Sequence, residues 1–108
     1  TLVKNIIDLI TNHSFNKSDM LSIIDGLINK GISGEYLDYS GAEQAVMAIS
    51  AILQTLLDNN SISQTEYLRF NSILDDAFEA IEDDENYKMR KFILSFKDLK
   101  SALKSINS

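Results

Sequence analysis

Residues 40–58 read SGAEQAVMAISAILQTLLD, and their apolar side chains recur at the spacing of a helix face. This face covers most of the helix circumference, which is typical of a helix at the centre of a bundle. Ser40 and Glu43 have the spacing of a capping box, so we expect the helix to begin at Ser40 and to end near Asp58. The face consists of Ala42, Ala45, Val46, Ile49, Ile52, Leu53, Leu56 and Leu57, and Met47 and Ala48 widen it.

Two helices are predicted before this central segment. Apolar residues at helical spacing place the first over residues 2–11 and the second over residues 17–30. Their apolar faces are Leu2, Val3, Ile6, Ile7 and Ile10 in the first, and Leu21, Ile24, Leu27 and Ile28 in the second. Asn16 or Ser18 can cap the start of the second helix, because each offers a side-chain oxygen to the free amides of the first turn. Gly31 directly follows the pattern and is expected to stop it.

Two helices are predicted after the central segment, and the join between them is ambiguous. A second capping box, Ser63 to Glu66, begins the fourth helix. Residues 82–86 hold no apolar side chain, which favours a break, whereas one continuous helix would pair Asp84 with Lys88. We favour the break because a helix of about 40 residues is rare in a small domain. The apolar stripes are Tyr67, Phe70, Leu74, Ala77, Phe78 and Ile81 in the fourth helix, and Phe92, Phe96, Leu99, Leu103 and Ile106 in the fifth.

The connector between the second and third helices, residues 32–39, is too apolar for a free linker and is expected to pack on the bundle. It contains Tyr36 and Tyr39, and tyrosine is enriched at protein interfaces. Two interpretations stay open for both residues. They are anchors for a partner, or they cover the core.

Composition places the chain among globular proteins. It has 108 residues, of which 44% are hydrophobic, and it has neither cysteine nor proline. No apolar run is long enough to span a membrane. Without cysteine the chain has no disulfide and no thiol nucleophile, and this fits a reducing cytoplasm, where we expect the protein to reside. The sequence therefore predicts a single all-α domain over residues 1–108, an up-and-down bundle of four to five helices.

Charge is segregated near the C-terminus. From Lys88 onward the sequence contains six basic residues and a single acid, Asp98. A clustering of like charges costs stability, and function can justify that cost, so one interpretation is that the acidic stretch before Lys88 is a binding surface for a basic partner. The alternative is a solvated acidic face that the neighbouring basic helix partly neutralises. The acidic stretch that precedes Lys88 consists of Asp75, Asp76, Glu79, Glu82, Asp83, Asp84 and Glu85.

These acids lack the patterns of known catalytic and metal sites. An EF-hand loop needs a glycine at its sixth position, and no glycine follows Gly41. A di-iron bundle needs Glu-x-x-His pairs, and the one histidine, His13, has no such glutamate. A glycosidase needs two carboxylates in unlike environments, whereas these carboxylates are expected to lie together on one solvated surface. We therefore predict a protein that is not an enzyme and that has no cofactor and no metal site.

The formal net charge of −6 bears on the class of partner. An acidic surface repels nucleic acid phosphate, although the basic residues of the fifth helix could touch phosphates, so we expect no nucleic acid partner. A basic protein is the expected partner, because opposite charge accelerates encounter. The first hypothesis is therefore a protein-binding module that inhibits this partner, with the acidic stretch 75–85 and the tyrosines at 36 and 39 as its binding residues. The second hypothesis is a structural or self-associating helical adaptor, which would form a homo-oligomer.

Residues 34–41, GEYLDYSG, lead into the alanine-rich helix and resemble a signature of some contact-dependent growth inhibition immunity proteins. Those proteins carry a glycine, a tyrosine pair, and a helix that follows a further glycine. Here two residues separate Tyr36 from Tyr39, which departs from their spacing. The alanines between Ala42 and Ala51 are also similar to an uncharacterised bacterial domain family. The resemblance covers residues 34–58 and implies a small bacterial cytoplasmic protein that binds and blocks one cognate toxin. It assigns no binding residue.

Overall fold

The computed structural model describes residues 2–13, 15–82 and 87–107, with side chains over 3–9, 15–82 and 87–106. These residues form five helices and no strand, so the predicted all-α class is confirmed. The helices are α1 (Leu2–His13), α2 (Lys17–Ile32), α3 (Tyr39–Asp58), α4 (Gln64–Ala80) and α5 (Met89–Asn107).

Helices α2 to α5 close into a ring. Each packs against the next along the chain, and α5 packs against α2. Lys91 near the start of α5 donates a hydrogen bond to Glu79 near the end of α4, and Arg69 near the start of α4 donates to Ser105 near the end of α5, so these two helices are antiparallel, as an up-and-down bundle requires. Helix α1 lies outside the ring and packs mainly along α3. Helix α3 therefore contacts α1, α2 and α4, which fits its predicted central position.

The core lies inside this ring. Eight residues of α3 are buried, all of them on the predicted apolar face. Three residues assigned to core faces are instead substantially exposed, namely Ile7, Met47 and Phe78. Each lies at the edge of its apolar face, where the neighbouring helix covers it only in part. The largest fully buried side chains are Phe70, Phe92, Phe96, Met20, Ile24, Ile28, Ile49, Ile52, Leu53, Leu56, Leu74 and Leu99.

The start of α3 differs from the prediction. Asp38 is the N-cap, and its carboxylate accepts a hydrogen bond of 2.8 Å from the Gly41 amide. The predicted capping box between Ser40 and Glu43 is wrong, because Asp38 has the same spacing to an amide of the first turn and begins the helix earlier. At α4 the predicted box is present, with Ser63 and Glu66 each bonded to the other's backbone amide.

The end of α2 also differs. The helix runs past Gly31 to Ile32, so Gly31 is an interior helical residue rather than the stop. The stop is Gly34, which has a positive φ of 76°. Its amide donates to the Gly31 carbonyl and the next amide donates to the Lys30 carbonyl, which together form a Schellman motif. A β-carbon on Gly31 would lie 2.2 Å from Cδ2 of Phe96. Glycine is therefore required at position 31 by the packing of α5 on α2.

Helices α4 and α5 are separate, so the predicted break is confirmed. Ile81 caps α4, and the Lys88 amide donates a hydrogen bond of 2.8 Å to the Ala80 carbonyl. This bond holds the end of α4 beside the start of α5. The proposed Asp84 to Lys88 pairing of a continuous helix falls on residues 83–86, which lie outside the described residues.

Candidate functional site

Four acids predicted to bind a partner lie at the C-terminal end of α4. Asp75 and Glu79 are four residues apart on one face of the helix, Asp76 lies beside Asp75, and Glu82 follows just after the helix ends at Ala80. All four are exposed. We call these four residues the acidic face. Its exposure follows from the position of the core residues Phe70, Leu74, Ala77 and Ile81 on the opposite side of the helix.

Two exposed apolar side chains accompany the acidic face. Phe78 is 39% exposed, lies three residues after Asp75 in the helix, and lines one surface hollow together with Glu82. Leu68 is 55% exposed and lies two turns before Asp75. Phe78 belongs to the predicted apolar stripe of the fourth helix, whereas Leu68 lies outside that stripe. A helical wheel drawn through Phe70 and Leu74 would have placed Leu68 on the outer side of α4.

Basic residues of α5 neutralise the acidic face only in part. Lys91 forms an ion pair of 3.2 Å with Glu79, and both side chains are largely exposed. Lys100 points instead to α2, where it pairs with Asp25 at 2.7 Å. Within the part of the chain that the structure describes, Asp75, Asp76 and Glu82 form no ion pair. An exposed ion pair contributes only about 0–1 kcal/mol to stability, so a partner's cation can displace Lys91 from Glu79 at little cost.

A shallow hollow lies where α4 meets α5. It has a volume of about 420 Å³, and Phe78, Glu79 and Glu82 line one side while Lys88 and Lys91 line the other. The two carboxylates and two ammonium groups of the hollow balance in formal charge, and the exposed ring of Phe78 can pack against the apolar stem of a partner's long side chain. The remaining predicted acids, Asp83, Asp84 and Glu85, lie outside the described residues.

Tyr36 lies in the core. Its ring is 9% exposed and makes edge contacts with Phe92 and Phe96, with both centroid distances at 6.2 Å. Its hydroxyl donates a hydrogen bond of 2.9 Å to the Leu27 carbonyl. Burial, and secondarily the charge of Glu35, raises the pKa of Tyr36 to about 12. The ring thus covers the core, which is one of the two interpretations of this tyrosine, and it offers little surface to a partner.

Tyr39 is the first residue of α3 and is partly buried. Its hydroxyl donates a hydrogen bond to the Glu43 carboxylate one turn further along the helix. The two tyrosines of the connector therefore differ in degree of burial, because Tyr36 belongs to the core and Tyr39 is partly buried and packs against it. Leu37, between them, is 79% exposed. The prediction that the connector packs on the bundle is confirmed at Tyr36 and does not hold at Leu37.

Alkaline pH is expected to destabilise the fold through its buried phenols. Tyr36 keeps its proton in the folded state up to a pKa of about 12, whereas in the unfolded chain it ionises near its ordinary value of 10.0. The stability conferred by the neutral phenol is complete below pH 10 and is lost as the pH rises toward 12. Burial also raises the pKa of Tyr87, whose hydroxyl donates to the Tyr36 carbonyl, so it acts in the same direction.

The measurement is the melting temperature from pH 9 to pH 12 for the wild type and for Tyr36→Phe, each relative to its own value at pH 9. We expect the wild type to lose stability more steeply. Absorbance titration at 295 nm should lose its highest-pH step in Tyr36→Phe. If the melting temperatures of the two proteins fall equally with pH, ionisation of Tyr36 is not the cause of the alkaline destabilisation.

The described residues contain no group of three or more His, Asp or Glu side chains placed to hold a metal ion. None of the helices in the described ranges is long and apolar enough to cross a membrane. Comparison with known proteins found no matching family model, curated protein or solved structure. The all-α bundle defines the fold class, and a fold class alone does not specify a function, so the side chains exposed at the end of α4 are the relevant feature.

Proposed function

We propose that this chain is a protein-binding module that inhibits a basic protein by binding it with the acidic face. The observation that carries the proposal is the combination, at the C-terminal end of α4, of the four exposed carboxylates of the acidic face with the exposed ring of Phe78. Interfaces commonly combine an apolar anchor at the centre with charged residues at the rim. The anchor supplies affinity, and the charges supply orientation and a fast encounter.

The charge of the whole chain supports this partner class. At a formal net charge of −6, the long-range field attracts a basic protein and repels nucleic acid. Three residues of the acidic face, Asp75, Asp76 and Glu82, form no ion pair with the described residues, so a partner's lysines and arginines would relieve repulsion among them. The resemblance of residues 34–58 to immunity proteins supports a narrower version, in which the target is one cognate toxin in a bacterial cytoplasm.

The test is affinity capture from the native lysate, followed by affinity measurement with the purified partner. The test variant carries Asp75→Asn, Asp76→Asn, Glu79→Gln and Glu82→Gln. We expect its affinity to fall about 10–100-fold, because each exposed charge pair contributes a few tenths of a kcal/mol to about 1 kcal/mol. Raising the salt concentration should weaken wild-type binding and should affect the variant less.

A matched control separates the acidic face from net charge. It neutralises four exposed acids elsewhere on the surface, and both variants change the net charge from −6 to −2 by removing four negative charges. We expect the control to bind nearly as well as the wild type. Equal losses in the two variants would reduce the effect to general charge, and unchanged affinity in the test variant would exclude the acidic face as the binding surface. The control substitutions are Asp8→Asn, Asp19→Asn, Glu35→Gln and Asp98→Asn.

A structural or self-associating adaptor is the second candidate function. The exposed Ile7 and Met47, on helices that face each other, favour it. It predicts that capture from the lysate returns no salt-sensitive partner.

A further inference from the structure

Helix α5 carries one exposed apolar side chain that the proposed function does not use, that of Leu94. It is 55% exposed. Leu94 lies three residues after Lys91 and eleven before Ser105, and both spacings place residues on one side of a helix. Lys91 donates a hydrogen bond to Glu79 of α4, and Ser105 accepts one from Arg69 of α4. Since both of these contacts are with α4, Leu94 lies on the side of α5 nearest to α4.

The register of the two helices brings Leu94 beside the acidic face. Helices α4 and α5 are antiparallel, and the ion pair of 3.2 Å between Lys91 and Glu79 sets their register. Asp76 lies three residues before Glu79, and Leu94 lies three residues after Lys91. At a rise of about 1.5 Å per residue, both are displaced by about 4.5 Å in the same direction along the paired helices. Leu94 is therefore level with Asp76 across the line where the helices meet.

Apolar surface thus lies on both sides of the Lys91–Glu79 ion pair. Phe78 lines the hollow that contains these two charged side chains, and Leu94 lies one helical turn beyond Lys91. A single exposed apolar residue is common on a protein surface. Two such residues beside one displaceable ion pair, next to several exposed carboxylates, instead form the combination of apolar centre and charged rim that is found at interfaces.

We propose that Leu94 is a second apolar anchor of the partner-binding surface, which thereby spans α4 and α5. The inference rests on the proposed function, and it specifies the contacting element of the partner as an amphipathic helix with lysine or arginine beside its apolar face. Two helices packed side by side leave a furrow along their line of contact, and an amphipathic helix commonly occupies such a furrow. Its apolar residues contact Phe78 and Leu94, and its cations pair with the acidic face.

Charge and apolar surface together favour this occupant. Asp75, Asp76 and Glu82 form no ion pair within the described part of the chain, which favours a cationic segment. A wholly polar basic segment would leave Phe78 and Leu94 uncovered. A wholly apolar segment would remove the carboxylates from water without partners, which is costly. A segment with an apolar stripe and flanking cations satisfies both sets of side chains.

The test uses a synthetic peptide of about 15 residues, composed of leucine and lysine, with the leucines at the spacing of one helix face. A second peptide of the same composition has a scrambled order, so it carries the same charge without an apolar face. Fluorescence anisotropy measures the affinity of each peptide for the full chain. We expect the amphipathic peptide to bind more tightly. Leu94→Ala should weaken its binding about fivefold or more and should leave binding of the scrambled peptide unchanged.

Leu9→Ala is the matched control, because it makes the same truncation at a leucine that is 44% exposed. Leu9 lies on α1, which packs mainly along α3, and neither α1 nor α3 packs substantially against α5. We expect this variant to bind both peptides as the wild type does. Because both leucines are exposed, neither truncation should unfold the chain, and circular dichroism checks this.

The outcomes separate this inference from the proposed function. Binding of the amphipathic peptide that falls when the acidic face is neutralised but not in Leu94→Ala overturns the inference and leaves the proposed function standing. An amphipathic peptide that binds no better than the scrambled one has the same meaning. Binding that is unaffected by neutralising the acidic face contradicts the proposed function and the inference with it. Sedimentation equilibrium of the chain alone tests a second copy as occupant, and a dimer that Leu94→Ala weakens overturns the proposal in its favour.

Discussion

Replacing Tyr36 by alanine should lower the free energy of unfolding by about 3–5 kcal/mol, the usual cost of truncating a buried aromatic residue. The ring fills the space between the connector and α5, in edge contact with Phe92 and Phe96. Its removal also leaves the Leu27 carbonyl without the hydroxyl that it accepts from. Since a domain of this size is stable by about 5–15 kcal/mol in total, the loss would bring the chain close to unfolding.

Urea unfolding followed by circular dichroism measures this loss, and Leu37→Ala is the matched control. Leu37 is adjacent in sequence and 79% exposed, so its truncation should change stability by no more than about 0.5 kcal/mol. Tyr36→Phe keeps the ring and should lose about 1 kcal/mol for the hydrogen bond. A small stability loss in Tyr36→Ala together with a large loss of partner binding would return Tyr36 to the role of an interface anchor.

Gly31→Ala should destabilise the protein by about 2 kcal/mol, although alanine is the better helix former. In an exposed helix interior, alanine is favoured over glycine by about 1 kcal/mol. Here the new β-carbon would lie 2.2 Å from Cδ2 and 2.7 Å from Cε2 of Phe96. The ring has little room to move, because it is fully buried and stacked on Phe92 at a centroid distance of 4.3 Å. Overpacking of this kind costs about 1–3 kcal/mol, and so short a contact places the cost at the upper end of that range. The gain of about 1 kcal/mol in helix propensity offsets part of it, which leaves a net loss of about 2 kcal/mol.

The same substitution at Gly26 is the control, because Gly26 lies in the same helix with nothing within 4 Å of an added β-carbon. Gly26→Ala should stabilise the protein by about 1 kcal/mol, so the two variants should change the urea midpoint in opposite directions. Combining Gly31→Ala with Phe96→Leu should cost less than the sum of the two single changes, because the smaller side chain relieves the clash. Stabilisation by Gly31→Ala would show that α5 can move away from α2.

The helices could be predicted from the sequence wherever apolar spacing and local hydrogen bonding agree. The Ser63 box and the wide face of α3 depend on residues within a few positions of one another, and both are present. The helix boundaries were less secure where two residues compete for one role. Asp38 and Ser40 both satisfy the local rule for an N-cap, and the sequence alone does not rank them.

Other features depend on contacts between residues that are distant in the chain. Gly31 reads as a helix stop until Phe96, 65 positions later, is known to pack on it. The exposure of the acids on α4 follows from the helical pattern, since the apolar residues occupy the other side. The Lys91 ion pair with Glu79 and the exposure of Phe78 do not follow, because both depend on how α5 crosses the end of α4.

The packing of α5 on α2 also has a consequence for the entropy of chain closure. Asp25 and Lys100 meet across a separation of 75 residues, whereas Gln54 and Tyr67 of the α3–α4 pair are 13 apart. Each doubling of a flexible loop adds about 0.6 kcal/mol to its closure, so joining α2 to α5 is entropically harder by about 1.5 kcal/mol. Burying two methylene groups offsets that difference, at about 0.8 kcal/mol each. The α5 side chains of Phe92, Phe96 and Leu99 are fully buried, which removes more apolar surface from water than two methylene groups would. The absence of a side chain at Gly31 thus allows close packing at the junction where bringing the chain together is most costly.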